Sequence, residues 1–209
     1  FDTFFGCVDT INRPPYAYMR DDKILFNGSV PTPGTHPWTW NSSYFGPAGP
    51  HDANIPQIDY SPDMIDESVA WLNNRAANPD PFFAYVSLYA PHTPHFPTPA
   101  FQCSVGFTYG DFVHETDHCI CRVIDAIDNN PTLANTVVVL TSDNGPETNA
   151  FTASRTNGHD ANGPFRGVKR DAWEGGTRVP FVVRWPGHVA PGTTTNELVW
   201  QGDIYSTIA

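Results

Sequence analysis

The chain has 209 residues, of which 40% are apolar and 13% aromatic, enough for a substantial core and not the composition of a disordered polymer. Its 22 acidic residues against 11 basic ones give a formal charge of −11, and with no basic run to neutralise phosphates no nucleic-acid partner is expected. No apolar run approaches the roughly 20 residues of a bilayer-spanning helix, and no signal peptide or membrane partner is expected.

In chain order, Asn12 to Pro62 is dense in Pro, Gly, Asn and Trp and reads as long surface loops with a short hairpin near Ile24 to Phe26. Trp38, Trp40 and Tyr44 could line a pocket for a sugar or an aryl ring. The sequons at Asn27 and Asn41 fit a glycoprotein that is secreted, lysosomal or periplasmic. Ser61 as cap and Pro62 at the first helical position start a helix that carries Ile65, Val69 and Leu72 on one face and ends near Asn73.

Phe82 to Tyr89 reads as a buried strand that breaks at Ala90-Pro91, so His92 and His95 follow a strand end. Val113, Asp117, Ile120, Ile124 and Ile127 predict an amphipathic helix with the Asp117 carboxylate in its seam, satisfied there by a hydrogen bond. Val137 to Leu140 is a β-branched run suited to a strand buried on both faces, stopping at Asp143-Asn144-Gly145-Pro146-Glu147. A further strand is predicted at Val179 to Trp185 and a helix at Asp203 to Ala209. The order predicts an α/β fold with a mainly parallel sheet flanked by helices, in a single domain. Cys7, Cys103, Cys119 and Cys121 show no metal-ligand spacing and suit either disulfides or buried thiols.

Open α/β sheets put ligands beyond the carboxyl ends of their strands. Asp143 and Asn144, a carboxylate beside an amide oxygen, form a hard pair suited to Ca²⁺, with Mg²⁺ as the alternative ion. Lys169 lies among Gly167, Gly175 and Gly176, which imply tight backbone turns around a bound group. Together with a histidine after the strand end, these groups suit transfer of a tetrahedral oxyanion. His95, His159 and Arg166 are candidates for holding the rest of the substrate; Glu147 and a Glu174–Arg178 pair read as scaffold.

The blocks "PFFAYVSLYAPHTPH", "TVVVLTSDNGPE" and "GPFRGVKRDAWEGGTRVPFVVRWPG" resemble, in order and spacing, those of the type I, formylglycine-dependent sulfatases of the alkaline phosphatase superfamily. The resemblance implies an alkaline phosphatase-like fold and hydrolysis of a sulfate ester, aryl or carbohydrate. It implies Asp143 and Asn144 as Ca²⁺ ligands, Lys169 on a sulfate oxygen and His92 as general acid, with His95 the alternative. The family's Cys-x-Pro-Ser-Arg motif, source of formylglycine, has no counterpart at any of the four cysteines, and Asp21-Asp22 is expected to follow no strand. The chain therefore reads as part of one catalytic domain, residues 1–209 lacking N-terminal strands and a C-terminal subdomain, inactive alone and binding metal weakly. The alternatives are a phosphodiesterase or phosphonate hydrolase of the same superfamily, or a catalytically inactive carbohydrate-binding relative. Oligomeric state is not legible.

Overall fold

A computed structural model of the chain describes residues 1–10, 13–25, 50–52, 60–78 and 80–209. The sequons at Asn27 and Asn41 and the aromatic candidates Trp38, Trp40 and Tyr44 lie outside the described residues. The chain forms two compact units, Phe1–Thr132 with Thr156–Gly158, and Leu133–Arg155 with His159–Ala209.

The first unit opens with an antiparallel meander, β1 (Phe5–Cys7), β2 (Tyr18–Arg20) and β3 (Lys23–Leu25), paired Gly6 to Met19 and Met19 to Ile24. The hairpin expected near Ile24 is β2 with β3, closed by Asp21-Asp22 with Asp21 at φ 54°, a turn geometry that Asp tolerates. Asp21-Asp22 thus directly follows a strand, contrary to expectation, and the Asp21 carboxylate accepts from the Phe4 amide at 2.9 Å. Helix α1 (Tyr60–Arg75) buries Ile65 and Leu72 as its spacing requires, and it begins one residue before the expected cap. Tyr18 Oη donates to Asp63 Oδ2 at 2.6 Å, joining meander to helix. Edge-on rings continue the contact, Tyr18 to Tyr60 at 5.3 Å and Tyr60 to Tyr89 at 6.0 Å.

Helix α2 (Thr108–Asp128) packs against α1, but its first turns are not on the face the sequence suggested. It buries Asp111, Phe112, Glu115, Thr116, Cys119, Ala126 and Ile127; of the expected seam Ile127 is buried, Ile120 and Ile124 are half-buried, and Asp117 and Val113 are exposed. One residue of offset is about 100° of rotation. The reason is polar: Asp111 accepts from the Cys103 amide at 2.9 Å and the Val105 amide at 2.8 Å, and Glu115 from the Thr98 amide at 3.0 Å and hydroxyl at 2.7 Å. Two carboxylates therefore face inward to hold residues 98–105 on the helix. Burial pushes the Asp111 carboxyl up, but donors from Val105, Cys103, Ser104 and Gly106 outweigh it and hold it low.

Phe82 to Tyr89 is not a strand. It runs without a ladder partner among the described residues, with Phe83 and Tyr85 56% and 74% exposed; β-propensity without a neighbour to hydrogen-bond does not make sheet. In the second unit β4 (Val138–Thr141) pairs antiparallel with β5 (Phe181–Arg184), Val139 opposite Val183. Leu140, Val182 and Val183 stay exposed, so the double-faced burial expected of β4 is not met. The strand pairings among the described residues are antiparallel, with one isolated parallel bridge between Tyr16 and His51, and a mainly parallel sheet is not seen in them. Helices α3 (Thr148–Thr156), α4 (Glu174–Thr177) and α5 (Gly202–Ile208) complete this unit, the last where a helix was expected. All four cysteines are free thiols, so the disulfide alternative is not realised; burial pushes Cys7 up to about 12. No helix among the described residues is long and apolar enough to cross a membrane.

Candidate functional site

Chain leaving β4 turns at once through Ser142 to Glu147 and enters α3. Asp143 is exposed; one of its carboxylate oxygens accepts from the Asn144 amide at 2.9 Å, and Asn144 Nδ2 donates to the Gly145 carbonyl at 2.9 Å. This leaves the other Asp143 oxygen and the Asn144 amide oxygen uncommitted among the described residues. Glu147 Oε1 accepts from the Thr148 amide at 3.0 Å, capping α3, and both Glu147 oxygens lie 2.7 Å from Arg170 Nη1.

Glycines let two further loops close on this turn. The Gly145 amide donates to the Gly176 carbonyl at 2.9 Å, and a Cβ at Gly145 would stand 1.9 Å from the Gly175 oxygen. The Gly175 amide donates to the Arg166 carbonyl at 2.8 Å, and the Lys169 amide to the Pro146 carbonyl at 2.9 Å. Lys169, half-buried, is therefore fixed by its own backbone to the loop that carries Asp143 and Asn144. Asn162 Nδ2 donates to the Gly167 carbonyl, and Asp171 Oδ2 accepts from the Val168 amide at 3.0 Å. Sequence reasoning missed Asn162, Arg170 and Asp171. The clustered glycines signalled close backbone approach, but nothing in the spacing says which side chain fills the remaining bonds.

The outer candidates stand apart in character. Arg166 is exposed and its guanidinium lies 4.2 Å from the Trp173 ring centroid. His159 is exposed and its amide donates to the Ser154 carbonyl at 2.9 Å. The Glu174–Arg178 pair forms as expected, at 3.5 Å.

His92 and His95 belong to the other unit. His92 is exposed, with Nδ1 2.6 Å from the Thr93 carbonyl. A carbonyl can only accept, so Nδ1 carries the hydrogen and Nε2 is left as the exchangeable nitrogen. His95 is set against the rings of Tyr109 at 5.0 Å and Phe112 at 6.1 Å, and its Nε2 is buried without a hydrogen-bond partner. Burial, with a smaller contribution from His92, pushes the His95 imidazole down to about 4. It is neutral at pH 7.

The oxygen donors of Asp143 and Asn144 fit a hard cation by chemistry and by being uncommitted. They supply a fraction of the 6–8 oxygens that Ca²⁺ takes, and among the described residues no group of three His, Cys, Asp or Glu could hold a metal ion.

A family model described as Sulfatase matches residues 1–209. The chain is 38% identical over 130 residues to steryl-sulfatase of Rattus norvegicus, covering 62% of this chain and 22% of that protein. It is 38% identical over 137 residues to N-acetylgalactosamine-6-O-sulfatase of Bacteroides thetaiotaomicron, covering 62% and 26%. A solved structure described under metabolism of multiple glycosaminoglycans by Bacteroides thetaiotaomicron superposes with a TM-score of 0.74 at 26% identity, over 91% of this chain and 46% of that one. The chain spans about a quarter of the length of these curated relatives.

Proposed function

The chain belongs to the sulfatase family, and we propose that it supplies the sulfate-holding and proton-donating groups of a sulfuric ester hydrolase. What supports this most is the hydrogen bond from the Lys169 amide to the Pro146 carbonyl at 2.9 Å, because it ties a cationic residue to the turn that bears two hard oxygen donors. A cation and a metal pair on one rigid backbone knot suit an anion with several oxygens.

In this reading the Lys169 ammonium holds a sulfate oxygen and balances charge as the ester breaks. His92, as the imidazolium, gives its Nε2 proton to the departing alcohol oxygen and is left as the neutral tautomer whose Nδ1–H donates to the Thr93 carbonyl and orients the ring. His95, neutral at pH 7, has no proton to deliver there and suits a packing role beside His92. Asp143 and Asn144 would hold Ca²⁺, or Mg²⁺, whose chemistry when bound is to polarise the sulfate oxygens. His159 and Arg166 would meet the rest of the substrate, a sulfated carbohydrate or an aryl or steroid sulfate. The family's formylglycine supplies a nucleophile, and no cysteine of these 209 residues stands in the sequence that would carry it, so no step is assigned to it. The mainly parallel alkaline phosphatase-like sheet is likewise a property proposed for the complete domain, with residues 1–209 as part of it. Secretion or a lysosomal or periplasmic location goes with this reading.

The test joins these residues to a formylglycine-bearing block and assays release of 4-nitrophenol from its sulfate ester. Lys169→Ala lowers kcat by about 10²–10³, the cost of one oxyanion donor, and His92→Ala lowers it more for poor leaving groups than for good ones. Equal turnover by wild type and both variants overturns the assignment. Preference for a phosphodiester over the sulfate would favour the phosphoryl-transfer alternative.

A further inference from the structure

Helix α2 carries a second set of ligating side chains, nitrogen donors rather than oxygens. His114 and His118 are exposed and stand four residues apart within a helix of 21 residues, so they share one face on successive turns. The Phe101 ring centroid lies 5.3 Å from each imidazole, giving the two a common wall. His114 Nδ1 lies 3.0 Å from Ser104 Oγ, and that hydroxyl donates to Asp111 Oδ1 at 3.2 Å. Since the serine hydrogen is committed to a carboxylate, which can only accept, the serine oxygen accepts from Nδ1. This fixes the tautomer and leaves His114 Nε2 as the lone-pair atom. A carboxylate acting through a hydroxyl on one imidazole nitrogen is the arrangement that orients a histidine for metal binding at the other.

We propose that His114 and His118 form a two-imidazole chelate on the surface of α2 for a borderline divalent transition-metal ion such as Zn²⁺. Neutral imidazole nitrogen suits Zn²⁺, Ni²⁺ and Cu²⁺ and discriminates against Ca²⁺ and Mg²⁺, so the site is orthogonal in chemistry to Asp143 and Asn144. No third His, Cys, Asp or Glu completes it among the described residues, so water fills the remaining positions and the ion exchanges readily. A bound ion bridges two turns of α2 and stabilises the helix that packs on α1.

The test is calorimetric titration of the protein with Zn²⁺ in excess Ca²⁺, in a Cys103→Ser/Cys121→Ser background that removes the two exposed thiols. One Zn²⁺ is expected, with a rise in melting temperature. His114→Ala and His118→Ala each abolish both effects while far-ultraviolet circular dichroism stays unchanged, since both side chains are exposed. Ser104→Ala weakens Zn²⁺ binding by about tenfold, the cost of losing an orienting partner. His188→Ala, in the turn after β5, leaves binding intact. Zn²⁺ affinity unchanged in both α2 histidine variants, or lost equally in His188→Ala, overturns the proposal.

Discussion

Arg170 Nη1 lies 2.7 Å from both carboxylate oxygens of Glu147, 23 residues away, and so straps the turn after β4 to the loop that carries Lys169. The hydrogen bond from Arg170 is the largest influence on Glu147, whose carboxyl is held below its ordinary value. A depressed carboxyl contributes stability above its unfolded value and loses it as pH falls through the folded one. Glu147→Gln should therefore lower the melting temperature at pH 7 by about 2 °C, the scale of a single partly exposed pair. The difference should fade below about pH 4.5, the ordinary value. Scanning calorimetry at both pH values checks it, and a difference that persists in acid would refute it.

His95 also loses stability as pH falls, but at higher pH than Glu147. Its imidazole must charge when the chain unfolds in acid, so stability is lost as pH falls from about 6.5 towards about 4. Between pH 7 and pH 5 this loss is ~2 kcal/mol. His95→Phe keeps a ring against Tyr109 and Phe112 and removes a buried nitrogen that bonds to nothing, so the variant should lose much less over that interval. Urea unfolding at the two pH values measures the difference, and equal losses would contradict the burial of the imidazole.

Gly145 has no room for a methyl group, since a Cβ there meets a backbone carbonyl that no rotamer change can move. Gly145→Ala should cost more than ~2 kcal/mol by denaturant unfolding. It should also free the Lys169 amide for hydrogen exchange, because that amide bonds to the next residue of the same turn. An unchanged unfolding midpoint would sink the three-loop knot.

Calcium titrated into the protein should bind with affinity weaker than micromolar, because two donors leave most of a 6–8-oxygen shell to water. Asp143→Ala should remove what binding there is. Micromolar affinity that survives Asp143→Ala would place the ion elsewhere.

Much of this molecule was legible in its sequence where a local rule governs. Ser61-Pro62 with Ile65 and Leu72 gave α1, the β-branched run gave β4, and the Gly-rich blocks gave backbone loops that approach within bonding distance of one another. The rotation of α2 was not legible, because Asp111 and Glu115 are turned inward by donors in residues 98–105, which no helical periodicity records. The strand expected at Phe82 to Tyr89 failed for a related reason: propensity describes one segment, whereas a ladder needs two. Nothing in the spacing marks Asn162, whose amide holds the carbonyl of Gly167 ahead of Lys169.

The ribbon of β4 and β5 leaves Leu140, Val182 and Val183 in water, and neither outer edge carries another strand among the described residues. Such a surface is adhesive. At high concentration copies of the protein should meet through these apolar side chains and the open strand edges, scattering more light as salt screens the acidic charge that keeps them apart.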